Sequence, residues 1–236
     1  LFIYGSIYIA WLILLWAVTA WHSDGAWLAQ WHQWDSPQYQ RIFDSGYNVK
    51  LLGFPPLYPY LIGFLSKVIF LPFHTTAVIV NILAFFCGSA LLSESIAKVF
   101  NISTHRFLLF AFALSAPASY FAFTAYTDTF FFFLLWLLLA MTVLEWWKIK
   151  PWTRYLYCAL FILLPAIRLV GYALFSWIAV RRWAAGLVLV TLAGWLYLNH
   201  VLTQDPFFFL KSQRIFGMPE GGFFTGLRYS LWYIPH

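Results

Sequence analysis

Charge is what this sequence has least of. Only 9% of its 236 residues are Asp, Glu, Lys or Arg, while 63% are hydrophobic; soluble domains hold about 45–50% apolar residues. At a mean hydropathy of +0.76, a soluble fold of this length has too little polar surface to cover its apolar content. Cysteine is scarce too. Cys87 and Cys158 stand apart in apolar runs, with no CxxC or Cys/His spacing, so neither a disulfide framework nor a zinc site is indicated. The histidines are scattered, and no metal site or cofactor is expected. A glycine-rich phosphate loop, HExxH, GxSxG and nucleotide-binding fingerprints are all missing. So are the short alternating strands of a transmembrane β-barrel.

What is present is a series of continuous apolar runs, several near the ~20 residues that cross a hydrocarbon core of about 30 Å. This predicts an all-α polytopic membrane protein, integral and multi-pass, with membrane lipid as a partner. The net charge of +6 does not point to nucleic acid. Its cations fall mostly in short connectors, where the positive-inside rule accounts for them. The chain opens at Leu1 inside an apolar run and stops at His236 after a polar one, which predicts a piece of a longer protein, one domain over 1–236. Leu1–Ala20 lacks the charged start and cleavage site of a signal peptide and is expected to be a retained helix.

The predicted crossings are Leu1–Trp21, Thr75–Ser93, Trp183–His200 and two within Phe107–Trp147, joined at Ala116–Asp128. Leu57–Phe73 is at the short limit, and Tyr155–Val180 is interrupted by Pro165, Arg168 and Gly171. Glu94–Arg106 is expected as a polar connector. The basic pairs and triplets Lys98/Arg106, Lys148/Lys150/Arg154 and Arg181/Arg182 predict a cytoplasmic face. The loop 22–56, the turn 116–128 and the loop 201–230 then share the opposite, extracytoplasmic face. This parity requires 57–73 and 155–180 to be partly inserted or re-entrant, which is tolerated where such segments line a cavity.

The polar island Trp34–Tyr60, WDSPQYQRIFDSGYNVKLLGFPPLYPY, is the expected seat of chemistry. Asp35 lies among Trp34, Tyr39 and Tyr58; an aromatic, partly dry setting raises a carboxyl pKa and suits it to accept a hydroxyl proton. Equally, Asp35 or Ser36 before Pro37 makes a good helix N-cap. Asp128, in Ala-Tyr-Thr-Asp-Thr, is either a cap for the next helix or an ionisable site residue at a membrane helix end. Arg168 sits mid-run, where an unpaired guanidinium costs at least about 2.5–3.5 kcal/mol on insertion scales. It needs a partner: Asp128 or Glu145, or a bound phosphate gripped bidentately. A second island, Gln204–Arg214, offers Lys211, Gln213 and Arg214, either as ligand groups or as the polar face of a surface helix.

In chain order, Trp34-Asp-Ser-x-x-Tyr39, Gly46-Tyr47 and Phe54-Pro-Pro-Leu-Tyr-Pro59 resemble the first-loop signature of the GPI mannosyltransferase 2 family, including its bacterial relatives. Pro117-Ala-Ser-Tyr-Phe with Tyr126-Thr-Asp128, Ile167-Arg-Leu-Val-Gly171, and Asp205-Pro-Phe-Phe-Phe-Leu with Gln213 are similar to its later segments. Pro55 stands where that family usually has a second aromatic, and Asp128 where it more often has Glu. The resemblance implies a GT-C type helical bundle with a long extracytoplasmic first loop. It further implies a hexosyltransferase that takes a sugar, commonly mannose, from a polyprenyl-phosphate carrier. The membrane would be a bacterial inner membrane or the endoplasmic reticulum.

Under that resemblance Asp35 matches the catalytic aspartate, the general base of an inverting transfer to a glycan or glycolipid acceptor. Arg168, Lys211 and Arg214 would stabilise the leaving phosphate. Tyr126, Asp128 and Gln213 would hold sugar hydroxyls, while Trp34, Tyr39 and Tyr58 supply aromatic surface. A lipid-linked sugar transporter or flippase is the alternative, as is a non-catalytic subunit of the same fold. A transporter, however, calls for ionisable residues at the midplane and paired repeats, whereas the acids here favour helix ends.

Overall fold

Most of the apolar sequence that is described is helical. The computed structural model describes residues 2–22, 35–102, 105–115, 124–179 and 182–212, and among these there is no strand. The helices are α1 (Phe2–His22), α2 (Ser36–Ser45), α3 (Leu57–Ile69), α4 (Phe73–Val99), α5 (Arg106–Ser115), α6 (Thr127–Val143), α7 (Pro151–Ile167), α8 (Arg182–Thr203) and α9 (Phe208–Ser212). A 3₁₀ segment, Leu169–Ala179, follows α7, and short 3₁₀ turns lie at Val49–Leu51 and Trp146–Lys148. Two helices, α4 and α8, are long and apolar enough to cross a membrane. At 1.5 Å per residue they extend about 40 and 33 Å.

Side-chain contacts fix the direction of each helix. Asn81, early in α4, bonds the backbone just before α6, and the far end of α4 shares a cavity with Leu144 and Trp146 beyond α6. The two helices therefore run parallel, and α5 packs on α4 and α1. α1 runs against α4: the Tyr4 hydroxyl donates to Glu94 at 2.8 Å, and the Tyr8 hydroxyl to the Ile82 carbonyl at 2.6 Å. α7 climbs from Thr153, bonded to the Trp146 carbonyl at 2.8 Å, to Arg168. α8 starts with Trp183 against Phe161 and ends past Trp195, whose ring meets Tyr47 of the first loop at 6.0 Å. One end of the bundle thus gathers Asp35, Tyr126 and Arg168. The other gathers Glu94, Lys98, Arg106, Glu145 and Lys148.

Two boundaries differ from the sequence expectation. The expected connector at Glu94 is still helix, because α4 continues to Val99; Ser93 and Ser95 bond back to Ser89 and Leu91 carbonyls and need no turn. Arg154 likewise belongs to the first turn of α7. α3, by contrast, has the shortness expected of 57–73: it is 13 residues, about 20 Å. It runs beside α2, with Phe43 against Tyr60, Lys67 and Phe73, so α2, α3 and the start of α4 form one local layer.

The buried core has two parts. The larger joins Tyr39, Ile42, Tyr58 and Ile62 of the α2–α3 layer to Leu138 of α6 and Leu160, Leu164 and Ile167 of α7. The smaller packs Tyr4 and Tyr8 of α1 against Phe85 of α4 and Phe110 of α5. Burying a large apolar side chain contributes about 1.5–3 kcal/mol. The larger part therefore anchors the first-loop layer firmly on α6 and α7.

Candidate functional site

Pro37 in the first turn starts α2, since its φ suits that position and its missing N–H would have no helical partner. Asp35 occupies the N-cap position, and its carbonyl accepts from Gln38 and Tyr39 at 2.9 and 3.1 Å. Its side chain makes no capping bond. Instead the carboxylate accepts a hydrogen bond from the Tyr126 hydroxyl. The cap position is occupied, but the acid is turned towards the bundle. At the other end of α2, Gly46 takes φ +77°, a conformation that disfavours any residue with a Cβ. This reverses the chain so that Tyr47 donates to the Phe54 carbonyl at 2.6 Å, closing the loop under α2.

α6 supplies the second wall. Asn81, fully buried in α4, donates to the Thr124 and Tyr126 carbonyls at 2.6 and 2.7 Å. Its amide oxygen accepts from Tyr58 at 3.4 Å. The turn into α6 is thereby pinned, which fixes Tyr126, Thr127 and Asp128. Asp128 sits in the first turn of α6, where the helix dipole favours an anion.

The third wall is the break after α7. Pro165 lies inside the helix and leaves one carbonyl without its amide partner. Two residues later the helix ends, and Arg168 is extended at φ −143°, ψ 140°. The chain then folds back as the 3₁₀ segment. A Cβ on Gly171 would lie 2.6 Å from Leu164 and Pro165 backbone atoms, so only glycine permits that return. Arg168 pairs with the Asp128 carboxylate and donates to Thr127 Oγ1 at 3.3 Å. Thr127 Oγ1 also bonds the buried Tyr39 hydroxyl at 3.2 Å.

These walls enclose a cavity of about 480 Å³ lined by Asp35, Tyr39, Phe54, Tyr126, Thr127 and Arg168 among others, within the range of small-ligand sites. Burial pushes the Asp35 carboxyl above the ordinary carboxylate range. The Tyr126 bond and the Arg168 charge oppose this, while Asp128 adds to it. The site therefore holds a proton acceptor, a fixed cation and two phenols around one space. Among the described residues, no three His, Cys, Asp or Glu side chains gather into a metal-ligating group.

Of the expected residues, Asp35, Tyr39, Tyr126 and Arg168 line this space together, and Asp128 stands behind Arg168 as its ion-pair partner. Two are placed elsewhere. Tyr58, expected to offer a face to substrate, is fully buried under Tyr39, their rings 5.3 Å apart; starting α3 next to Pro59 puts it in the core. Lys211, expected to meet phosphate, is bonded to Asp205 at 2.6 Å on the outside of α9 and does not line the cavity. Trp34, Gln213 and Arg214 lie outside the described residues. Sequence reasoning missed Thr127 and Asn81. The signal for Asn81 was a lone amide in the apolar run of α4, since buried amides need partners.

The chain matches no protein-family model, no curated protein and no solved structure.

Proposed function

We propose that the protein is a multi-pass membrane glycosyltransferase of the GT-C type, moving a sugar, mannose on the sequence resemblance, from a polyprenyl-phosphate carrier to an acceptor hydroxyl. One observation carries this reading: the Asp35 carboxylate and the Arg168 guanidinium line the same 480 Å³ cavity, at the end of the bundle away from Lys98, Arg106 and Lys148. By the positive-inside rule that end is extracytoplasmic, the side on which polyprenyl-phosphate sugars are used in the family that the motifs resemble. The lengths of α4 and α8 support the membrane setting.

In the proposed reaction the acceptor oxygen attacks the anomeric carbon as its proton passes to Asp35. The bond from that carbon to the phosphate oxygen breaks on the opposite face, its electron pair leaving with the lipid phosphate. The sugar configuration inverts. Arg168 stabilises the departing phosphate, a role suited to a fixed cation in a partly dry site. It must share or leave Asp128 to do so, and Asp128 is then available to a sugar hydroxyl. Tyr39 and Tyr126 border the space that the sugar would occupy.

The test is sugar transfer by the full-length protein from labelled polyprenyl-phosphate mannose. Transfer by wild type and its loss in Asp35→Asn are expected. Wild-type rates in Asp35→Asn would remove Asp35 as the base, and uptake or scrambling of the lipid without transfer would replace the enzyme by a transporter.

A further inference from the structure

The end of the bundle remote from Asp35 holds a second, larger cavity of about 840 Å³. Its walls are apolar: Phe86, Ala90 and Leu91 of α4 and Leu144 and Trp146 at the α6–α7 turn. Charge appears only at one edge. Glu94 is engaged twice, by the Tyr4 hydroxyl at 2.8 Å and by Arg106 at 3.8 Å. Lys98, one helical turn further along the same face of α4, also lines the cavity, and no carboxylate pairs with it among the described residues. With Glu94 balanced by Arg106, the rim carries one net positive charge. Asn101 adds an amide beside it. Lys148 and Lys150 lie on the same end of the bundle, around the α6–α7 turn.

An apolar chamber with a single uncompensated cation at its rim fits an amphiphile with an apolar body and an anionic head. We infer that this cavity binds an anionic phospholipid, acyl chain between α4 and the α6–α7 turn and phosphate at Lys98 and Asn101. The inference rests on the membrane reading above but not on sugar transfer. Its location agrees with the charge: basic pockets between helices on the cytoplasmic side collect anionic head groups from that leaflet. Lys98 supplies the charge selection, and the small residue Ala90 leaves room for the chain.

The test uses the full-length protein in detergent, titrated with phosphatidylglycerol or phosphatidylcholine and read by native mass spectrometry. Wild type is expected to retain phosphatidylglycerol in preference to phosphatidylcholine. Lys98→Gln weakens that retention about fivefold, the effect of one lysine near a membrane surface, while Lys50→Gln, which removes a cation at the opposite end, leaves it unchanged. Ala90→Trp, which fills the chamber without touching charge, displaces the lipid as well. In a Cys158→Ser background, Cys87, exposed in the cavity wall, gives a reading independent of folding losses: phosphatidylglycerol slows its maleimide labelling and phosphatidylcholine does not. Equal retention by Lys98→Gln and Lys50→Gln, or Cys87 labelling indifferent to phosphatidylglycerol, overturns the proposal. Protection of Cys87 without any added lipid also overturns it, by showing that protein covers the cavity.

Discussion

The two ends of the bundle carry cavities of opposite character. The larger, near Glu94, has greasy walls and one uncompensated cation at its rim. The smaller, near Asp35, has less room but brings a half-buried acid, a guanidinium and three hydroxyl groups onto one space. Size therefore does not mark the end proposed as reactive. Convergence does: the acid is raised by burial and bonded to a phenol, and the cation is held by two residues of one helix turn. Perturbed ionisable groups in a cleft mark a candidate functional site.

The contrast can be broken most sharply at Asp35. Replacing it with Asn is expected to reduce sugar transfer by about 10²–10⁴-fold, the usual scale of a general base, in an assay with labelled lipid-linked sugar. The same variant should be more stable, not less. Burial raises the folded-state pKa of Asp35 above its unfolded value, so its contribution to stability is complete below the unfolded pKa and lost as pH rises through the folded one. At neutral pH the charged form is the strained form, and a neutral amide removes that cost; a small upward shift in Tm checks it.

Arg168→Gln comes next, with an expected loss of about 10²–10³-fold in transfer, as for a lost charge-stabilising donor. Lys148→Gln, a change of equal charge at the opposite end, should leave transfer within about twofold. A similar loss in both variants would erase the distinction between the ends. Asn81→Leu strips the Thr124 and Tyr126 carbonyls of their buried donors, costing about 1–3 kcal/mol, and should lower Tm by several degrees in thermal unfolding.

Tyr126→Phe sharpens the comparison through pH. The Tyr126 bond lowers the Asp35 pKa against the effect of burial. Transfer needs the ionised acid, so the acidic limb of the rate profile should lie above the ordinary carboxylate range in wild type. It should move higher still in Tyr126→Phe. The smallest effect is expected at Asp205, whose pKa is lowered by bonds from Lys211 and the Phe207 amide. Its stabilisation is present above the unfolded pKa and fades as pH falls through the folded one, and Asp205→Ala should barely move Tm because the pair is solvent-screened.

Much of this arrangement was legible in the residues. A lone arginine in an apolar run demanded a partner, and Asp128 was one of the two offered. Pro165 and Gly171 around it marked the break. Asp35 before Ser-Pro marked a helix start, and it sits at the cap position with its carboxylate aimed elsewhere. Less legible was anything set by contacts between distant segments. The burial of Tyr58 depends on Asn81 and Tyr39 closing over it, and the withdrawal of Lys211 depends on a local pairing with Asp205 across a turn. The shortness of 57–73 was legible from its length, but its packing against α2 was not. The end of α4 was misjudged for a different reason: polar residues there stay helical by bonding their own carbonyls.

Gly171 has a consequence out of proportion to its size. Because the 3₁₀ segment touches α7 through the bare α-carbon at that point, adding even a methyl would lever the two apart, and the guanidinium three residues upstream would swing with the lever. The aim of the guanidinium that lines the smaller cavity is thus steered from a position that has no functional group at all.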